Sequence, residues 1–317
     1  MNDVRSYHGQ AVIKQPVWTW EIPSYFFTGG VAGASAGLAY LSEIAGNDVL
    51  ARRAWAAALA GVGVSPLLLI SDLGKPERFV NMLRMFKVTS PMSVGSWILT
   101  ISGTATAVAA LHSWLGLFPQ LSKLARPAAA LSGLPLSTYT GALVANTAIP
   151  VWHQSRRTLP FVFAAGAGLS AGAAGVILTP THAAGAARRL AVAGSLAEMA
   201  AKELMEHRLG ELGEPYKLNP ARTLGHVGRG CLLAGSALLA ARGSTSRAAA
   251  ATAGGLLLAG ALSARWSVFK AGFQSASDPR YVIGPQRRGI HNRIRRGAAR
   301  TTPRGTAAGP AGSPVAV

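Results

Sequence analysis

The chain has 317 residues, half of them hydrophobic and only 14% charged, and its 31 Lys and Arg against 12 Asp and Glu give a formal net charge of +19. Apolar runs this long and frequent exceed what a soluble core uses, so composition excludes a soluble globular enzyme and points to a polytopic membrane protein. The basic excess reads as membrane topology first and as attraction for anionic lipid or an acidic partner second; with no aromatic-interleaved or helix-turn-helix pattern beside it, nucleic acid is not an expected partner.

Residues 1–20 form a polar leader ending in Trp18 and Trp20, aromatics suited to the headgroup level. The first apolar run begins near Ile22, after Asp3 and Glu21, and reads as a retained span over residues 23–45 rather than a cleaved signal peptide. Its Gly29, Gly30, Gly33 and Gly37 permit close approach of a neighbouring helix; with no preceding strand they do not form a nucleotide loop. A second span is predicted over 54–71 and a third over 94–118. The polar hairpin SDLGKPERFVNMLRMFKVTSPMSVGSW joins them. It crowds Asp72, Lys75, Arg78, Arg84 and Lys87 at an aqueous boundary, a pattern that suits a docking surface, with Asp72 and Arg78 expected to pair across the Gly74–Pro76 turn.

A fourth span is predicted over 127–151, a fifth over 159–178 and a sixth over 187–209, the last interrupted by Glu198, Lys202 and Glu203. Intramembrane ionisable groups are functional candidates, so these three are read as a proton relay or an intramembrane ion pair, Glu198 and Lys202 facing each other four residues apart. After a polar connection come spans at 224–241 and 248–266. From residue 269 the Arg clusters and the Gly, Ala, Pro and Thr content predict a disordered basic tail. The expected architecture is an all-α integral membrane protein: a leader (1–20), a domain of about eight transmembrane helices in two four-helix bundles (21–268), and the tail (269–317). The Lys and Arg excess on the side holding both termini and the hairpin places that side in the cytoplasm, with the chain in the plasma membrane.

The lone cysteine, Cys231, excludes an internal disulfide, a cysteine-ligated zinc site and an iron–sulfur cluster of the chain's own. Haem needs two histidines at matched depth on facing helices; His112 and His226 fall toward opposite ends of their spans, so no haem is expected. His8, His153, His182, His207 and His291 lie in predicted loops, tails or span ends.

The order Asp72, Leu73, Gly74, Pro76, Arg78, Phe79, Met82, Leu83, Ser90, Pro91, Met92, Gly95, Trp97 resembles the signature loop of the NrfD/PsrC family, the membrane subunits of polysulfide-reductase-type molybdoenzymes. The likeness extends to WTWEIPSYFFTGG at the first helix and to YTG in the fourth, covering roughly residues 18–155. It implies a helical anchor that holds no redox metal and exchanges electrons between the membrane quinone pool and a docked iron–sulfur subunit, which serves a molybdopterin catalytic subunit. It also implies a quinone contact at Tyr139, the tyrosine of the YTG motif, and, by position alone, at Tyr25.

A quinone site needs an apolar slot, a donor for each ring carbonyl and a proton route. Tyr139 with Asn146, Tyr25 with Glu21 at the first helix mouth, and Asp72 in the loop supply such groups, and Gly141 leaves room for a ring. Whether the quinone is menaquinone or ubiquinone stays open. Two other readings are a purely structural anchor and a secondary transporter, for which Pro66 and Pro135 would break helices near the midplane.

Overall fold

A computed structural model describes residues 12–284, which are helical throughout with no strand among them. The elements are α1 (Glu21–Ile44), α2 (Asp48–Asp72), α3 (Arg78–Leu83), α4 (Pro91–Leu115), α5 (Pro119–Ala145), α6 (Pro150–Gln154), α7 (Leu159–Leu178), α8 (Gly185–Leu209), α9 (Ala221–Arg242) and α10 (Arg247–Ser277). Eight of these have 20 residues or more, about 30 Å or longer at 1.5 Å per residue. Six, α2, α4, α5, α7, α9 and α10, are both long and apolar enough to cross a membrane. The other two fall short because α1 carries glycines, serines and a glutamate at each end, while α8 carries six Arg, Lys and Glu side chains between Arg188 and Glu206.

The expected boundaries shift where local chemistry intervenes. Ser90 accepts from the Ser93 amide (3.4 Å) and Pro91 opens α4, so that helix starts before residue 94; Gly116, at φ 69°, stops it before 118. The predicted fourth span does not run unbroken to 151. It starts eight residues early, at Pro119, and ends at Ala145, because Pro150 holds Ile149 extended (ψ 122°) and the chain restarts as α6. The tail expected from residue 269 also begins later: α10 continues to Ser277, burying Phe269, Ala271 and Ser275. The rest of that predicted tail beyond residue 284, His291 included, lies outside the described residues, as do His8 and most of the leader.

The long helices alternate in direction. Thr28 meets Ser65, Gly33 meets Gly133, Gly95 meets Tyr139, Gly172 meets Ala191, Ser195 meets Ser236 and Gly228 meets Gly260, each pair running oppositely along its two helices. α1, α2, α4 and α5 form one four-helix group and α7 to α10 a second, joined chiefly where α7 packs on α1 and α5. The approach is closest where neither helix has a side chain: a Cβ on Gly33 would strike the Gly133 carbonyl, and one on Gly133 the Gly33 carbonyl. Small residues at such crossings replace the hydrophobic drive that lipid removes.

Large apolar side chains including Leu67, Ile101, Leu131, Phe161 and Leu233 point outward from helix flanks. A surface so apolar is a lipid-facing surface rather than a water-facing one. The polar anchors sit at the two ends. At one, Glu43 accepts from Trp55 Nε1 (2.8 Å) and pairs with Arg126 (3.5 Å), and Arg247 donates to the Val176 and Thr179 carbonyls that close α7. The other end carries the hairpin, and with it the site.

Candidate functional site

Gly74, at φ 63°, turns the chain out of α2, and the amides of Lys75 and Arg78 bond back to Leu73 and Lys75 carbonyls (2.6 and 3.1 Å) before α3 forms. Sequence reading took this segment as loop; α3 is a short helix that puts Phe79 and Met82 three residues apart on one face. Ser93 Oγ then ties the return strand of chain, donating to the Met85 carbonyl (3.0 Å) and accepting from the Lys87 amide (3.0 Å), while Phe86 meets Trp97 edge-on. The segment is thus two-sided. Its underside is Phe79 and Met82; its outer side exposes Lys75, Arg78, Arg84 and Lys87.

Beneath it lies a cleft of about 600 Å³ of free space, mouth included, walled by Ile22, Phe26, Leu69 and Leu143 and reached by Tyr25, Asp72, Ser96 and Tyr139. Tyr25 of α1 is buried and its hydroxyl is hydrogen-bonded to that of Tyr139 on α5. Two hydroxyls that bond each other use one proton between them, so the pair keeps one O–H free to donate. Trp18 closes the near side, stacked on the buried Trp152 of α6 (5.8 Å, 25°), whose Nε1 donates to the Val268 carbonyl (2.9 Å). The break after α5 therefore has a use: it lets α6 swing Trp152 under the cleft wall. Gly95 of α4 lies against the Tyr139 ring, where any Cβ would overlap it. Gly95→Ala is accordingly expected to swing the ring away and part the two hydroxyls, lowering stability by about 1 to 3 kcal/mol while the protein still folds, as thermal unfolding of the purified variant would show.

The expected site residues do not all converge. Tyr25, Tyr139 and Asp72 share the cleft, whereas Asn146, at the end of α5, meets Tyr139 in a separate flanking cleft lined also by His153 and Arg156. Glu21 stands at the rim, bonded to the Thr19 hydroxyl. The expected Asp72–Arg78 pair is absent; Asp72 accepts instead from the Thr19 amide and hydroxyl (3.4 Å each), because Arg78 begins α3 and is exposed.

The charged helix α8 also departs from expectation. Glu198 and Lys202 do not pair. Glu198, 1% exposed, meets Arg265 of α10, 2% exposed, at 3.4 Å, and Arg265 also donates to the Phe163 carbonyl (2.9 Å) and lies over the Phe163 ring (4.1 Å). Lys202 turns to Glu206 (3.9 Å) and Ser267 (3.4 Å), and Glu203 to Arg229 (2.5 Å). Arg265 was the group that sequence reasoning missed, and a lone cation within LLLAGALSARWSVF was its signal. His112 bonds the Leu117 carbonyl and His226 accepts from Arg222, so the two histidines stand at opposite ends of the bundle. Among the described residues no group of three or more His, Cys, Asp or Glu could hold a metal ion.

Residues 8–212 match the family model described as "Polysulphide reductase, NrfD". No curated protein matches the sequence.

Proposed function

The chain belongs to the polysulphide reductase NrfD family, and on that premise we propose that it is a quinone-exchanging membrane subunit whose eight long helices all span the bilayer. The family is one of membrane subunits of polysulfide-reductase-like oxidoreductases, whose members work with molybdoenzyme and iron–sulfur subunits. For this chain the proposed partners are an iron–sulfur electron-transfer subunit seated on the basic hairpin and a molybdopterin catalytic subunit beyond it. Both termini lie on the cytoplasmic side in this reading, as the Lys and Arg excess favours.

The observation that carries the proposal is the joining of Tyr25, Tyr139 and Asp72 in one apolar cleft under the hairpin. The residues fit a quinone: apolar walls for the ring, one free O–H from the tyrosine pair for a ring oxygen, and a carboxylate at the aqueous rim. A quinone brings two-electron, two-proton chemistry to such a cleft. The chain's own work is to hold and orient: the tyrosine pair donates, Asp72 takes up or returns a proton beside Thr19, and Phe79 with Met82 excludes water. On the outer side Lys75, Arg78, Arg84 and Lys87 attract an acidic partner surface. Glu198 with Arg265 is assigned a structural rather than a proton-relay role, since both are enclosed by α7, α8 and α10.

Tyr139→Phe removes one hydroxyl and keeps the ring. Loss of a hydrogen bond of about 1 kcal/mol should weaken a bound quinone analogue about five-fold, with the fold kept and the thermal transition lowered only by the cost of the unpartnered Tyr25 hydroxyl, about 1 to 3 kcal/mol. Unaltered affinity would remove the tyrosine pair from the site and leave the structural-anchor reading.

A further inference from the structure

A second cavity opens at the same end of the bundle, between α8, α9, α10 and the 3-10 turn Gly210–Lys217, with about 870 Å³ of free space. It is polar where the first cleft is apolar. Lys202, Lys217, Arg222, His226 and Arg229 line it, and Glu206 is its one carboxylate. Lys202 is engaged by Glu206 and Arg229 by Glu203, whereas Lys217 and Arg222 have no ion pair among the described residues. Tyr216 lines the cavity too; it is 6% exposed and its hydroxyl has no hydrogen-bond partner. Burial raises its pKa well above the ordinary phenol value, so it remains a donor.

The surface below is equally distinctive. Glycine contacts bring α8 tightly onto α7, through Gly172 and Gly194, and α9 onto α10, through Gly228 and Gly235. α8 and α9 instead meet through side chains, Ser195 with Ser236 (3.0 Å) and Glu203 with Arg229. Leu196 of α8, beside Leu239 of α9, is exposed, as are Leu204, Val227 and Leu233 elsewhere on the two helices. A further cleft of about 770 Å³ at the far end of the α8–α9 contact seam is lined by Val192, Leu196 and Leu239 together with Arg188, Arg189 and Ser244.

Cations without a carboxylate partner and a buried donor without an acceptor, above exposed apolar side chains at the depth where helices end, match the two parts of one molecule. We propose that this cavity and seam bind an acidic phospholipid, the phosphate seated among Lys217, Arg222 and Tyr216 and the acyl chains lying between α8 and α9. Water alone could solvate the cations but would leave the seam uncovered; a zwitterionic lipid would cover the seam and bring its own cation against Arg222. The lipid fastens α9 to α8, which otherwise meet only through side chains.

The test uses the purified full chain in neutral detergent, with thermal unfolding and native mass spectrometry read against added phosphatidylglycerol, phosphatidylcholine or inorganic phosphate. Phosphatidylglycerol is expected to raise the transition and remain bound, and phosphatidylcholine to do neither. The double variant Lys217→Gln/Arg222→Gln should weaken phosphatidylglycerol binding about thirty-fold, near five-fold for each cation. Lys75→Gln/Arg78→Gln, on the distant hairpin, should leave it unchanged. Equal effects of the two lipids, equal stabilisation by phosphate alone, or full binding by the first double variant would each overturn the proposal.

Discussion

Arg265→Leu is expected to be among the most damaging single substitutions, lowering stability by about 3 to 5 kcal/mol, because it leaves the buried Glu198 without a counter-charge. No neighbour can substitute for it. Lys202, the nearest cation on the same helix, is committed to Glu206 and Ser267, and Gly166 keeps the facing surface of α7 free of side chain. The guanidinium also loses its bond to the Phe163 carbonyl and its seat on the Phe163 ring. The double variant Glu198→Leu/Arg265→Leu removes both charges and should recover most of the loss, since apolar replacement of a buried pair is often neutral or better. Thermal unfolding of the two purified variants checks this: Arg265→Leu within about 1 kcal/mol of the parent would show that the pair holds nothing together.

Gly133→Val should be nearly as severe and should act on the site as well. The new side chain meets not a movable side chain but the Gly33 backbone carbonyl, so α1 and α5 must separate. Overpacking typically costs about 1 to 3 kcal/mol, and a rigid obstacle puts this change at or beyond the upper figure. Tyr139 lies six residues along α5 from Gly133, and Tyr25 eight residues back along α1 from Gly33, so the same displacement parts the hydroxyl pair. A lowered transition and at least tenfold weaker quinone-analogue binding are expected together. Gly37→Val, on the same helix with nothing within 4 Å, is the control and should change neither.

How far the sequence was legible follows the physics of each signal. Apolar runs announce membrane helices because lipid demands long uninterrupted stretches, and α7 falls on its expected bounds, Leu159–Leu178. Charged side chains weaken that signal, which is why α8, interrupted by Glu198, Lys202 and Glu203, falls short of a membrane span by composition and why the expected end of α10 at residue 266 precedes its actual end at Ser277. Short-range chemistry was also readable: the small residues of α1 foretold close packing, and Gly33 supplies it. Long-range pairing was not. Spacing alone offered Lys202 as the partner of Glu198, four residues away, and nothing local could reveal that Arg265, 67 residues on, reaches it first. Asn146 was half readable: it shares a cleft with Tyr139, as their spacing suggested, but that cleft is the flanking one with His153 and Arg156, apart from Tyr25 and Asp72.

The two-sided hairpin has a mechanical consequence. Phe79 and Met82 touch the cleft while Arg78 and Arg84 face outward, all within or beside the six residues of α3. A protein that grips the outer face therefore sets the headroom of the chamber below, and whatever fills the chamber sets how α3 presents its cations. In the proposed assembly, thermodynamic reciprocity would make the two affinities rise or fall by the same factor, coupling partner docking to quinone loading through a single turn and a half of helix.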